Sequence, residues 1–128
     1  MEYVNYNANP YFNETSDCTI RAISKCENIS WEQAYRNLFK ISLKLKEVFC
    51  SYKVLKLYLK ENYDAFSADI LLKDFSFDVG KKYLLLLKNN KEIDCHLVFF
   101  EDGKYYDKSE LNKKWKVFEY FVLKQREQ

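Results

Sequence analysis

Ser16-Asp17-Cys18-Thr19-Ile20-Arg21-Ala22-Ile23-Ser24 is the stretch on which the reading of this chain turns. Ser16 or Asp17 can act as N-cap, because a short side-chain oxygen accepts a bond from an orphan backbone N–H of the first turn. The stretch therefore predicts a helix that begins near Cys18 and ends near Glu27-Asn28, Asn being tolerated in a left-handed position after a helix. Cys18, Ala22 and Cys26 recur at every fourth residue and form a narrow stripe of small side chains, suited to close packing on a sheet. A thiol in the first turn also feels the positive end of the helix dipole, which favours thiolate. Free cysteine more often packs as a small hydrophobe. Cys18 stands apart from the other three cysteines by its place at a helix start.

Outward from this helix, Ser30 and Gln33 form a capping box for a second helix, with Ile29 as a staple onto Ala34. Trp31, Ala34, Tyr35, Leu38, Ile41 and Leu45 give it an apolar stripe that reads as core. A third helix is expected from Ser51 to about Asn62, its lysines forming a solvated face. Ser67 is read as the cap of a short fourth helix around Ile70-Leu71-Leu72. From Gly80 the period changes. Tyr83 to Leu87 is a continuous apolar run, as in a strand buried on both faces. Cys95–Phe100 and Lys104–Lys108 flank Asp102-Gly103, a two-residue hairpin signal, and Trp115–Leu123 reads as a last strand. Residues 1–15, rich in Asn and aromatic side chains, read as an irregular arm whose amides satisfy their own backbone. Helices first and antiparallel strands afterwards is the α+β pattern, here in one domain of 128 residues.

Composition narrows the function classes. A net charge of +2, with no basic run longer than two residues, argues against a nucleic-acid partner. The opening residues hold no apolar signal segment and no run could span a bilayer, so a cytoplasmic chain with reduced cysteines and no membrane contact is expected. The cysteines contain no C-x-x-C pair, so neither a metal nor another cofactor is expected.

His96 is the single histidine of the chain. If Asp102-Gly103 is a two-residue turn, Glu101 pairs with Lys104, Phe100 with Tyr105, Val98 with Asp107 and His96 with Ser109. Alternation then sets His96, Val98, Phe100, Tyr105, Asp107 and Ser109 on one face. Asp107 lies diagonally from His96, about 7–8 Å away between backbones, a gap that side chains can close. An acid there would hold one ring nitrogen and leave the other for a thiol.

With these residues in view, the chain resembles the papain-like cysteine peptidase fold, and more closely a group of small papain-like proteins of bacteria and their phages, mostly uncharacterised. "DCTIRAIS", "ISWEQAYRNL", "KYLLLLK", "HLVFFEDGKYYD" and the later Trp carry the resemblance, which covers most of residues 13–120. It implies Cys18 as nucleophile, His96 as base and Asp107 as orienting acid, with Arg21 and Ala22 as structural helix positions. The pattern departs in two places. Papain-like enzymes usually place a Gln before the Cys to complete the oxyanion hole, and here the first Gln is Gln33. Asn13 is the best substitute and Asn9 the next, since a side-chain amide can donate to an oxyanion. The Gly common before the Cys is Asp17, whose carboxylate would oppose thiolate formation unless it is engaged in capping.

Two functions follow. One is a cysteine peptidase or amidase acting on an amide or isopeptide bond of a peptide or protein. The other is a catalytically silent papain-like binding module, of a kind that a phage or mobile element could use to block a host protein. Thiol reactivity at Cys18 separates them.

Overall fold

Ser30 and Ser51 start helices in the same way. The Ser30 hydroxyl oxygen accepts the Gln33 N–H at 3.0 Å, and that of Ser51 accepts the Val54 N–H at 3.3 Å. Each such cap contributes about 1 kcal/mol. The capping box is only half closed, because the Gln33 amide turns forward to Asn37. The computed structural model describes residues 1–11, 17–49, 51–88, 95–111 and 114–124, and of Cys95 the backbone. Its helices are α1 (Cys18–Glu27), α2 (Trp31–Leu45) and α3 (Tyr52–Asn62). Asn28 ends α1 in the left-handed region, at φ 54°, as its residue type predicts.

The strands are β1 (Glu2–Asn5), β2 (Tyr63–Leu71), β3 (Lys82–Lys88), β4 (Cys95–Glu101), β5 (Lys104–Asp107) and β6 (Lys116–Leu123). Among the described residues they form one sheet in the order β1-β5-β4-β3-β6-β2. β1 runs parallel to β5, and every other pairing is antiparallel. The apolar run of β3 occupies the interior of the sheet, with Tyr83 to Leu87 all buried. Leu84 and Leu86 join Leu97, Phe99 and Phe121 under the three helices. Tyr83, Leu85 and Leu87 join Val98, Phe100 and Val117 on the other face, beneath Leu72 and Phe75. A strand with a core on each side has no reason to alternate, and this one does not.

Four expectations are corrected. The arm is not wholly irregular: Glu2–Asn5 adds a parallel strand at the edge of the sheet. Beyond it the Asn-rich stretch does satisfy its own backbone, since Asn7 Oδ1 accepts the Asn9 N–H at 3.0 Å and Asn9 Oδ1 accepts the Tyr11 N–H at 2.9 Å. The sheet is therefore mixed, and it is not confined to the C-terminal part. The change of period falls at Tyr63, which leaves α3 directly in extended conformation. The helix expected after Ser67 is absent: Ser67 lies within β2, and only a short 3₁₀ turn, Leu72–Asp74, follows. β2 hides its period because it is a largely exposed edge strand, and a register shift between Ser67 and Ile70 breaks the alternation.

Candidate active site

The hairpin that carries the site has the register its turn demands. Glu101 faces Lys104, Phe100 faces Tyr105 and Phe99 faces Tyr106. Asp102 and Gly103 both have positive φ, 51° and 80°, as a turn matched to the strand twist requires. The parity of that ladder brings Asp107, at the end of β5, to His96 near the start of β4. Asp107 Oδ2 lies 2.6 Å from His96 Nε2. With Nε2 so engaged, Nδ1 is the ring nitrogen left to face a thiol.

That thiol is Cys18, the first residue of α1. It is half-buried, and the His96 imidazole and the backbone N–H of Leu97 on β4 lie close enough to act on its charge. Its Sγ also lies 3.9 Å from Thr19 Oγ1. Burial disfavours the thiolate, but His96, the Leu97 N–H and the Thr19 hydroxyl together outweigh it, and the thiol is held below its ordinary pKa. His96 shifts the other way. Burial disfavours the imidazolium, yet the Asp107 carboxylate and then Cys18 raise its pKa to about 9. Asp107, opposed by burial, is brought down by His96, by Arg21 and by the Lys108 N–H. The shifts of Cys18 and His96 run in opposite directions, each favouring the charged form of its group, with the Asp107 carboxylate behind the ring. The site thus brings together the three residues the sequence singled out.

A buried ion network, not foreseen in this role, stands behind Asp107. Arg21 is 5% exposed, and its Nη1 donates to Asp107 Oδ1 at 2.9 Å while its Nε donates to Asp17 Oδ1 at 3.0 Å. Trp31 Nε1 donates to Asp17 Oδ2 at 3.0 Å. Asp17 is thus engaged by Arg21 and Trp31, and its side chain makes no cap bond to α1. Its charge is met by a guanidinium, which removes the objection to a carboxylate beside the nucleophile. Breaking such a buried pair from one side costs about 3–5 kcal/mol, because a charge is left without its partner. The spacing of Asp17 and Arg21, four apart across a helix start, is the signal that could have revealed the pair.

Two further contacts shape the site. Trp115, just before β6, packs its ring 5.7 Å from that of His96. β1 holds the backbone of Asp107, whose carbonyl accepts from the Tyr6 N–H at 2.8 Å and from the Tyr3 hydroxyl at 3.1 Å. Of the oxyanion candidates, Asn13 lies outside the described residues. Asn9 is buried, with its side-chain oxygen committed to the turn at Tyr11. No group of three or more His, Cys, Asp or Glu side chains among the described residues is arranged to hold a metal ion. No described helix is long and apolar enough to cross a membrane. In comparisons with known proteins, no family profile, curated protein or solved structure matches this chain.

Proposed function

We propose that this chain is a papain-like thiol hydrolase, a peptidase or amidase whose Cys18, His96 and Asp107 act as nucleophile, acid–base and orienting acid. The observation that carries the reading is the 2.6 Å contact between Asp107 Oδ2 and His96 Nε2, with the Cys18 thiol beside the same imidazole. Cys18 Sγ attacks the carbonyl carbon of an amide or isopeptide bond, and the carbonyl π electrons move to oxygen. The Cys18 backbone N–H, a first-turn donor with no acceptor within its own helix, donates to that oxyanion, with Asn13 as second donor. Collapse breaks the C–N bond, and His96 gives its proton to the leaving amine. Water then attacks the thioester, its proton passing to His96. The acid is released and the thiolate and imidazolium are restored. The substrate class is a peptide or protein amide, met in the cytoplasm.

Iodoacetamide labelling at pH 6, located by peptide mapping, tests the reading. Cys18 should label at least tenfold faster than glutathione, since an ordinary thiol has a pKa near ~8.5, and His96→Ala should remove the difference. A Cys18 that labels no faster than glutathione would sink the hydrolase.

The binding-module reading has its own support in α2. Phe39 and Leu43 are 44% and 58% exposed there, beside the exposed Arg36, Lys40 and Lys44. In that case Cys18→Ala leaves the biological effect intact.

A further inference from the structure

Arg21 joins two carboxylates with one planar group. Its Nε is taken by Asp17 and its Nη1 by Asp107. A guanidinium held at two points on different residues cannot turn without breaking a bond, whereas an ammonium can. Asp17 is itself held from α2, by Trp31 Nε1. On the other side, Asp107 Oδ1 accepts both Arg21 Nη1 and, at 2.8 Å, the Lys108 N–H. The only carboxylate oxygen then left for His96 is Oδ2. Arg21 also sits on α1, three residues after Cys18, so the helix that carries the thiol also carries the clamp on the acid.

From this geometry we infer that Arg21 is a positioning residue: anchored on Asp17, it holds the Asp107 carboxylate in the rotation that presents Oδ2 to His96 Nε2. The inference rests on the hydrolase reading for its use in catalysis, but the hold on His96 exists whether or not the thiol reacts. Among the described residues, the titratable groups that act most on the imidazole are Cys18 from α1 and Asp107 from β5, with Arg21 behind Asp107. β3 sets the apolar Leu87 opposite it, and Trp115 packs on the ring.

Charge and positioning predict opposite signs. As a bare cation near the site, Arg21 disfavours the imidazolium, and weakening it would raise the His96 midpoint. As a clamp, it favours the imidazolium through Asp107, and losing the clamp lowers the midpoint. Arg21→Lys keeps the charge and loses the two-point hold. The measurement is the NMR titration of His96 in ¹³C-histidine-labelled protein, where a single histidine gives unambiguous signals. Both samples carry Cys18→Ala, so no thiolate contributes, and the outcome is independent of whether Cys18 is a nucleophile.

Arg21→Lys is expected to lower the midpoint by about one pH unit, a tenfold change in proton affinity. A midpoint that is unmoved or raised in the folded variant overturns the inference and leaves the labelling result at Cys18 untouched. If Arg21→Lys loses its dispersed amide spectrum, Trp31→Phe decides. It keeps an aromatic ring in place of the indole but removes one of the two side-chain donors to Asp17, and it should lower the midpoint by a smaller amount. No change in that folded variant overturns the inference equally.

Discussion

Helix α1 carries a cysteine at each end, and the two lie in opposite surroundings. Cys18 begins the helix, half-buried, with an imidazolium and a backbone N–H beside it, and its pKa falls. Cys26, eight residues on and 2% exposed, is pushed up to about 11. Burial does most of this and the Glu27 carboxylate adds to it, while the nearby Tyr63 hydroxyl opposes it. Glu27 in turn accepts the hydroxyls of Tyr58 at 2.7 Å and Tyr63 at 2.8 Å, and burial with that carboxylate raises the pKa of both phenols. At the first turn the imidazole, the Leu97 N–H and the positive end of the dipole act together on the thiol. The other end gathers an anion where the dipole is already negative. Thiol character here comes from what surrounds the sulfur, and helical spacing alone would treat the two cysteines as equivalents on one stripe.

The comparison breaks most sharply under mutation. Cys18→Ala should abolish turnover and all labelling at that position while the fold is kept. Cys26→Ala should leave the Cys18 labelling rate unchanged and cost about 1 kcal/mol, through a small cavity, in a denaturant titration. A Cys26 that labels in the native protein as fast as Cys18 would erase the contrast.

A smaller effect is expected from Asp107→Asn. The amide can still orient the ring but no longer carries the charge, so labelling of Cys18 at neutral pH should slow by roughly ten- to a hundredfold and turnover should fall further. The pH profile sharpens the same point. Turnover should rise as Cys18 ionises below the ordinary thiol range, then fall as His96 loses its proton near 9, because the leaving amine then has no acid. A rate that keeps climbing through pH 10 would show an unpaired thiol. At the far end of the helix the effect falls on stability and spares the site. Glu27→Ala removes the acceptor of two tyrosine hydroxyls and should cost about 2–3 kcal/mol of stability with no change in Cys18 labelling.

The candidate site was more legible than the edges of the fold. Cys18 was singled out by a helix start and His96 by being the sole histidine. Asp107 followed from turn parity, which is rigid because side chains alternate strictly along a strand. The interior strand announced itself by five apolar residues in a row. β1 could not be read that way. Its partner β5 lies about a hundred residues later, and Glu-Tyr-Val-Asn has no apolar face to declare it. β2 was lost to an exposed edge and a bulge. Asp17 was misread because a local role, the cap, is visible in sequence, whereas a buried pairing with Arg21 and Trp31 depends on where α2 docks.

The hold of β1 on Asp107 also bears on the order in which the molecule assembles. The Tyr3 hydroxyl reaches the Asp107 carbonyl across 104 positions of sequence, and the Arg21–Asp107 pair spans 86. Contacts of such separation close late, after the local helices and the hairpin, because the loop entropy is lost before any bond compensates for it. On a ribosome, Cys18 emerges long before the strands that bring its histidine and carboxylate. The thiol therefore has the surroundings of an ordinary cysteine throughout synthesis, and it meets the imidazole and the carboxylate only when the sheet closes around it.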